Sequence, residues 1–289
     1  MPEVLVAGCG FTGLSVARML QAGGWCVTGL TRSEESAVAL KDEPFRVRAC
    51  DVSSAPALQK LADELGAKPD VVLHCASSGR GGADSYRSVY IGGAQNLTQA
   101  FPEARLVFTS STSVYPQTDG EWVTEDSATS PETELSRLLL EAENVVLKRG
   151  GVVARIAGIY GAGRSVLLRK FFGGEAVIED GGGRWINQAH RDDIATALAL
   201  LIQAKAAGIY NIADDHPLQQ HELYTRLAEL FTHPLPPEGP RSAIRKRAWT
   251  SKRVSNAKLR SLGWAPKYPS FFDAIKDDLN LVKLAGGCD

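Results

Sequence analysis

A chain of 289 residues, 44% hydrophobic and 22% charged, carries enough apolar material for one large α/β domain or a domain with an attached lobe. A formal net charge of −1 gives no overall basic field of the kind nucleic-acid binding requires. No apolar run approaches the ~20 residues of a membrane span, the N-terminus MPEVLVAGCG lacks the basic region of a signal peptide, and five cysteines without CxxC spacing argue against disulfides or zinc; a cytosolic protein without a membrane or nucleic-acid partner is expected.

In chain order the apolar runs VLVAG (4–8), WCVTGLT (25–31), FRVRAC (45–50), DVVLHCA (70–76), RLVFTSS (105–111) and GVVARIAGIYG (151–161) read as strands. Their nearly continuous hydrophobic character predicts strands buried on both faces, with Cys9, Cys26, Cys50 and Cys75 within or beside them. Between them lie the helical segments LSVARMLQA, APALQKLADELGA, GGAQNLTQAF and ELSRLLLEAENVVLKRG, the first and last closed by glycines, as helix C-termini prefer. This alternation predicts an α/β fold with a Rossmann-type doubly wound parallel sheet.

After Tyr160 the alternation gives way to a glycine-rich region and returns in HRDDIATALALLIQA and IYNIA (209–213). The expected division is a dinucleotide-binding domain over 1–160, with 186–213 returning to it, and a smaller C-terminal lobe from 161–185 and 214–289. GRGGADSY (79–86) reads as a flexible loop after the fourth strand, and PLPPEGP as a loop inside the lobe.

GCGFTG places Gly8, Gly10 and Gly13 in GxGxxG spacing directly between the first strand and first helix, with Phe11 and Thr12 inside the motif. The first glycine permits the tight turn, the second lets backbone approach a pyrophosphate, and the third lets the helix pack close so that its N-terminus faces the anion. An NAD site usually has an acid about 20 residues on, at the end of the second strand. Here Thr31, Arg32 and Ser33 stand there, which suits the 2′-phosphate of NADP; Glu34 and Glu35 follow closely and keep NAD open.

The order of motifs resembles the extended and atypical short-chain dehydrogenase/reductases, the NAD-dependent epimerase/dehydratase family. AGCGFTG resembles its phosphate loop, VLHCAS the fourth-strand end, QNLTQA the helix that follows, FTSSTSVYP the serine motif, RIAGIYGAG the sixth-strand motif, and HRDDIATAL a helix start near the substrate. ACDVSS is similar to the segment after the third strand, and RVSNAKLRSLGWAPKYPSFFDAI to the closing helix, loop and tryptophan. The resemblance implies that Asp51 and the Val52 backbone recognise adenine, that Cys75, Ala76 and Ser77 line the cofactor, and that Ser111 is the catalytic serine. It also implies an oxidoreductase or epimerase acting on a nucleotide sugar or small carbonyl compound, and a homodimer of the kind that related proteins often form through two long helices.

The family's Tyr-x-x-x-Lys falls on SPETELSR, where Thr133 and Arg137 stand instead, with Glu141 four residues later. A threonine hydroxyl does not titrate near neutrality and arginine stays protonated, so the two form no acid/base pair of matched pKa. Arg137 can still hold ribose hydroxyls or a phosphate, and Thr133 with Ser111 can orient a carbonyl. Tyr115, then Tyr90, Tyr160 and His190, are the other candidates for a proton carrier, each weighed against a packing role; Tyr90 stands where the family commonly has an asparagine. A non-catalytic protein that binds or senses NADP(H) is the alternative. In the lobe, RSAIRKRAWTSKR (241–253) has six basic residues and no acid, a candidate contact for an anionic substrate, and Trp249 within it can stack on a base or fill a core.

Overall fold

The strand β1 (Glu3–Ala7) is an interior strand of a seven-stranded sheet, and its Leu5, Val6 and Ala7 are almost wholly covered. In the computed structural model, which describes residues 1–66, 68–79, 81–130, 133–241, 249–278 and 281–282, β1 runs parallel to β2 (Cys26–Thr31) and to β4 (Val71–His74). Beyond them, β3 (Arg46–Ala49) pairs with β2 and β5 (Arg105–Ser111) with β4, both parallel, and Val152–Ile156 and Gly208–Ile212 complete that side. The sheet order thus reverses between β1 and β4, the place where an open α/β sheet leaves a crevice at its strand ends. The Rossmann-type sheet expected from the strand and helix alternation is the one observed.

Three local readings are corrected. The strand β3 is an edge strand whose Arg46 and Arg48 face solvent, so it alternates instead of being buried on both faces. Cys26, at the start of β2, is exposed, whereas Cys9 and Cys50 are buried. The single run GVVARIAGIYG breaks into two strands: Val152–Ile156 stays in the main sheet, while Gly158–Tyr160 pairs with Gln188–His190. The break comes where Ala157 N–H bonds to Ile212 and Gly158 N–H to Asn187, which hands the backbone from one set of partners to another.

The described chain falls into two compact units. The first comprises 1–114, 132–155 and 194–210 and holds the sheet with its core of Leu5, Val6, Leu30, Leu73, Val107 and Phe108. Each such fully buried aliphatic or aromatic side chain contributes roughly 1.5–3 kcal/mol. The second comprises 115–131, 156–193 and 211–289 and has its own core around Phe171, Ile178, Leu223, Leu227 and Phe271. Its small sheets include Trp122–Val123 beside Arg253–Val254 and Trp185–Ile186 against Leu218–Gln219. Among the described residues no helix is long and apolar enough to cross a membrane.

Candidate functional site

The phosphate loop is built by close backbone contact. Gly8 has φ +102° and lies so near the end of β4 that a Cβ on it would stand 2.3 Å from Ala76 N. A Cβ on Gly13 would stand 2.2 Å from Gly8 O, so the helix Phe11–Ala22 can begin only if that residue is glycine. Gly10 differs: nothing lies within 4 Å of the position its Cβ would take, so the space in front of it is open. Gly10 also supplies no side-chain cap, and the first turn, which includes Phe11, Thr12 and Gly13, carries no acidic residue. An uncapped helix N-terminus facing open space behind a glycine fits a pyrophosphate, through backbone N–H groups and the helix dipole. A dinucleotide therefore fits the residues present.

At the end of β2 the structure separates three residues that the sequence groups together. Thr31 is buried and its hydroxyl donates to Ser33 O at 3.1 Å. Ser33 caps the short helix Glu34–Val38, accepting Ser36 N–H at 3.3 Å. Both hydroxyls are thus engaged locally, while Arg32 is exposed and makes no hydrogen bond or ion pair with any described residue. At the end of β3, one Asp51 carboxylate oxygen accepts Ser53 N–H at 2.9 Å and Ser53 Oγ–H at 2.7 Å. Val52 is buried, and its carbonyl accepts Asn96 Nδ2–H at 3.0 Å.

The end of β4 forms the opposite wall. Burial pushes the Cys75 thiol up to about 12, so it is a neutral packing group and no nucleophile. Ala76 closes on Gly8, and the exposed Ser77 accepts Gly79 N–H at 3.2 Å through its hydroxyl. Beneath them His74 is fully buried, with Nε2 3.0 Å from Val89 O; desolvation drives its pKa down to about 4, so it is neutral. The segment read as a flexible loop becomes helical from Ala83: a turn over Ala83–Tyr86 leads into a six-residue π-helix, Arg87–Gly92, which carries Tyr90. Arg80 lies outside the described residues.

Ser111 ends β5, and its Oγ accepts Ser113 N–H at 3.2 Å. The helix Glu134–Leu147 starts against the same turn, because Ser136 Oγ donates to Ser113 O at 3.2 Å. Thr133 is that helix's N-cap: its Oγ1 accepts Ser136 N–H at 3.3 Å, and its own hydroxyl proton goes to Ser136 Oγ at 3.0 Å. Arg137, one turn on, is exposed; its backbone N–H bonds to Thr133 O at 3.1 Å, and its guanidinium makes no hydrogen bond or ion pair with a described residue. Glu141 reaches Arg87 at 3.8 Å.

Beneath Ser111 lies a feature the motif reading passed over. Glu143, on the same helix, is buried and takes Arg155 from the strand Val152–Ile156, with Nη2 2.7 Å from Oε2 and Nε bonded to both carboxylate oxygens. The Ser110 hydroxyl donates to the same carboxylate at 2.5 Å. An arginine inside the apolar run GVVARIAG was the sequence signal, since a charge almost never sits in a buried strand without a partner.

The remaining tyrosine and histidine candidates lie in the second unit. Tyr115 is fully buried, and its hydroxyl donates to Asn211 Oδ1 at 2.8 Å, which is a packing arrangement with no open face. Tyr160 is buried against His190 and Phe271, and desolvation raises its phenol pKa. His190 Nδ1 accepts Asp192 N–H at 3.2 Å at the start of the helix Arg191–Gln203, and burial lowers its pKa. Of the basic stretch 241–253, residues 242–248 lie outside the described residues; Arg241 pairs with Asp180 and stacks on Trp249 at 3.8 Å. Arg253 lies between Trp122 and Trp185, about 5 Å from each ring, held by a bond to Gly120 O. Among the described residues no group of three or more His, Cys, Asp or Glu side chains is placed to hold a metal.

A family model described as the NAD dependent epimerase/dehydratase family matches residues 4–213. The Escherichia coli K12 protein YeeZ is 33% identical over 249 residues, covering 80% of this chain and 84% of its own. A solved Methylobacillus flagellatus protein, named for the NAD-dependent epimerase/dehydratases, is similar at 29% identity with a TM-score of 0.79, over 98% of this chain and 99% of the other. The dTDP-glucose 4,6-dehydratase of Bacillus anthracis, solved in complex with NAD, shares the fold at 16% identity with a TM-score of 0.80, over 98% of this chain and 97% of its own.

Proposed function

The chain belongs to the NAD-dependent epimerase/dehydratase family, and on that premise we propose that it is a nicotinamide-dependent oxidoreductase or epimerase acting on a nucleotide sugar or a small carbonyl compound, with NADP favoured over NAD. The single observation that carries the cofactor reading is the cradle in front of Gly10, open where Gly8 and Gly13 are closed against backbone. Relatives with this fold support the substrate class, among them a dehydratase of a nucleotide-linked glucose.

The backbone N–H groups of the Phe11–Ala22 helix start would hold the pyrophosphate. Arg32, exposed and uncommitted at the end of β2, would pair with a 2′-phosphate, and Asp51 with Val52 would face the adenine. Arg137 would hold ribose hydroxyls or a phosphate from the start of its helix, as a fixed positive charge that moves no proton. Ser111 Oγ would orient a substrate oxygen at the end of β5. A nicotinamide ring, when bound there, would give or take the reducing equivalent.

The cap at Thr133 favours a second reading. Both the acceptor and the proton of its hydroxyl are engaged with Ser136, so the position where the resemblance expects a tyrosine offers no free donor. On this reading the protein binds NADP(H) without turning it over. Titration with NADPH followed by its consumption against a panel of aldoses, nucleotide sugars and small ketones separates the two. Consumption, or epimerised product formed without net consumption, that Ser111→Ala slows supports the enzyme; tight binding with neither across the panel supports the sensor.

A further inference from the structure

Of the hydroxyls in the unit that holds the phosphate loop, one aromatic hydroxyl is left poised. Tyr86 is buried, whereas Tyr90 is half-buried, with its ring edge-on to Tyr86 at 4.9 Å and to Phe108 of β5 at 6.1 Å. Its Oη receives only long contacts, from Ser78 N–H at 3.4 Å and Ser78 Oγ–H at 3.5 Å, and no described residue accepts its own proton. An anchored ring with an unspent O–H is what a proton donor needs and what a packing tyrosine avoids.

The backbone that presents it is unusual. Tyr90 lies within the π-helix Arg87–Gly92, between the α-turn Ala83–Tyr86 and the helix Gly93–Ala100. Such π-turns are found frequently at functional sites. Below it, His74 Nε2 lies 3.0 Å from Val89 O, and Gly93 passes so close to that ring that a Cβ would stand 2.9 Å from Nε2, so the turn is pinned.

Ser78 follows Cys75 and Ala76, the backbone pressed against Gly8, and β4 flanks β1 on the side opposite β2. A dinucleotide with its 2′-phosphate half at Arg32 and its pyrophosphate at Gly10 extends its nicotinamide half toward β4 and β5. We propose that Tyr90 Oη carries the proton of the reaction, set by the π-turn beside the nicotinamide half of the cradle and standing in for the hydroxyl that Thr133 spends on its helix. The inference rests on the nicotinamide-dependent reading above. In the reducing direction the reduced dinucleotide would supply a hydride to the substrate's carbonyl carbon and be oxidised. As the C=O π bond opens, the Tyr90 O–H bond breaks and an O–H bond forms on that oxygen, and the phenolate regains its proton from water; in the oxidising direction the transfers reverse.

The test needs no substrate. NADP⁺ and NADPH would each be titrated into wild type and Tyr90→Phe by calorimetry from neutral to alkaline pH. Phenylalanine keeps the ring contacts with Tyr86 and Phe108, so folding is preserved. A phenolate beside the ring favours the positively charged, oxidised form. The preference for NADP⁺ over NADPH is expected to rise with pH in wild type, by about fourfold or more, and to stay flat in Tyr90→Phe. Binding of both forms with the same pH course in wild type and Tyr90→Phe overturns the role of Tyr90 and leaves the cofactor reading standing. Binding of neither form by wild type overturns the cofactor reading and this inference with it.

Discussion

Thr133 Oγ1 accepts the backbone N–H of Ser136 at 3.3 Å, and through Ser136 Oγ the helix start is tied to the carbonyl of Ser113, two residues beyond the end of β5. A threonine in this role is structural first: it satisfies one of the orphan donors of the Glu134–Leu147 helix. Thr133→Ala is therefore expected to lower stability by about 1 kcal/mol in urea unfolding, with NADPH affinity changed less than twofold. Undiminished stability with lost turnover would place the hydroxyl in the chemistry instead.

The glycines of the phosphate loop are expected to fail in different ways. Gly10→Ala adds a methyl group to open space at a φ of −101° and folds normally, yet it blocks the approach of a pyrophosphate. Its thermal midpoint should match wild type while dinucleotide affinity falls by about tenfold or more. Gly8→Ala combines a φ of +102° with a 2.3 Å clash against Ala76 N, and should express poorly or unfold at much lower denaturant.

Glu143 and Arg155 form a buried ion pair that also receives the Ser110 hydroxyl. Removing one partner strands the other charge, so Glu143→Gln is expected to cost about 3–5 kcal/mol by chemical denaturation. The double variant Glu143→Leu/Arg155→Met should recover much of that loss, since it leaves no buried charge behind.

His74 gives the protein an acid limit. Burial holds its folded pKa at about 4, below the 6.5 of the free side chain, so the unfolded chain takes up a proton first as pH falls. The stability it contributes is complete above pH 6.5 and is lost between 6.5 and about 4, by up to about 3 kcal/mol. Unfolding free energies measured at pH 7 and pH 4.5 should differ more in wild type than in His74→Gln, which does not titrate. An identical pH dependence in the two would show that other groups set the limit.

The sheet and the glycine turn between β1 and the first helix were legible in the sequence because both rest on local patterns: buried apolar runs of strand length, and glycines at a spacing that backbone contact demands. The strand run 151–161 was misread at its middle, since the hand-over at Ala157 and Gly158 depends on distant Ile212 and Asn187. The engagement of Ser33 in a helix cap was likewise invisible, as a hydroxyl beside an arginine reads the same whether capping or free. So was the π-turn under Tyr90: its wider backbone is set by packing on His74 and Phe108, and no residue pattern in RSVYIG announces it. Glu143 could have been found from its partner Arg155, a charge in an apolar strand.

We propose that the cradle around Gly10 and Arg32 holds a nicotinamide dinucleotide with a 2′-phosphate. Calorimetric titration of NADPH and NADH into wild type and Arg32→Ala tests it directly. Loss of one charged pairing is worth about 1.5–3 kcal/mol, so NADPH should bind wild type about tenfold or more tighter than NADH, and Arg32→Ala should erase that difference while leaving NADH unchanged. Equal binding of the two by wild type would contradict the NADP preference, and binding of neither would contradict the claim itself.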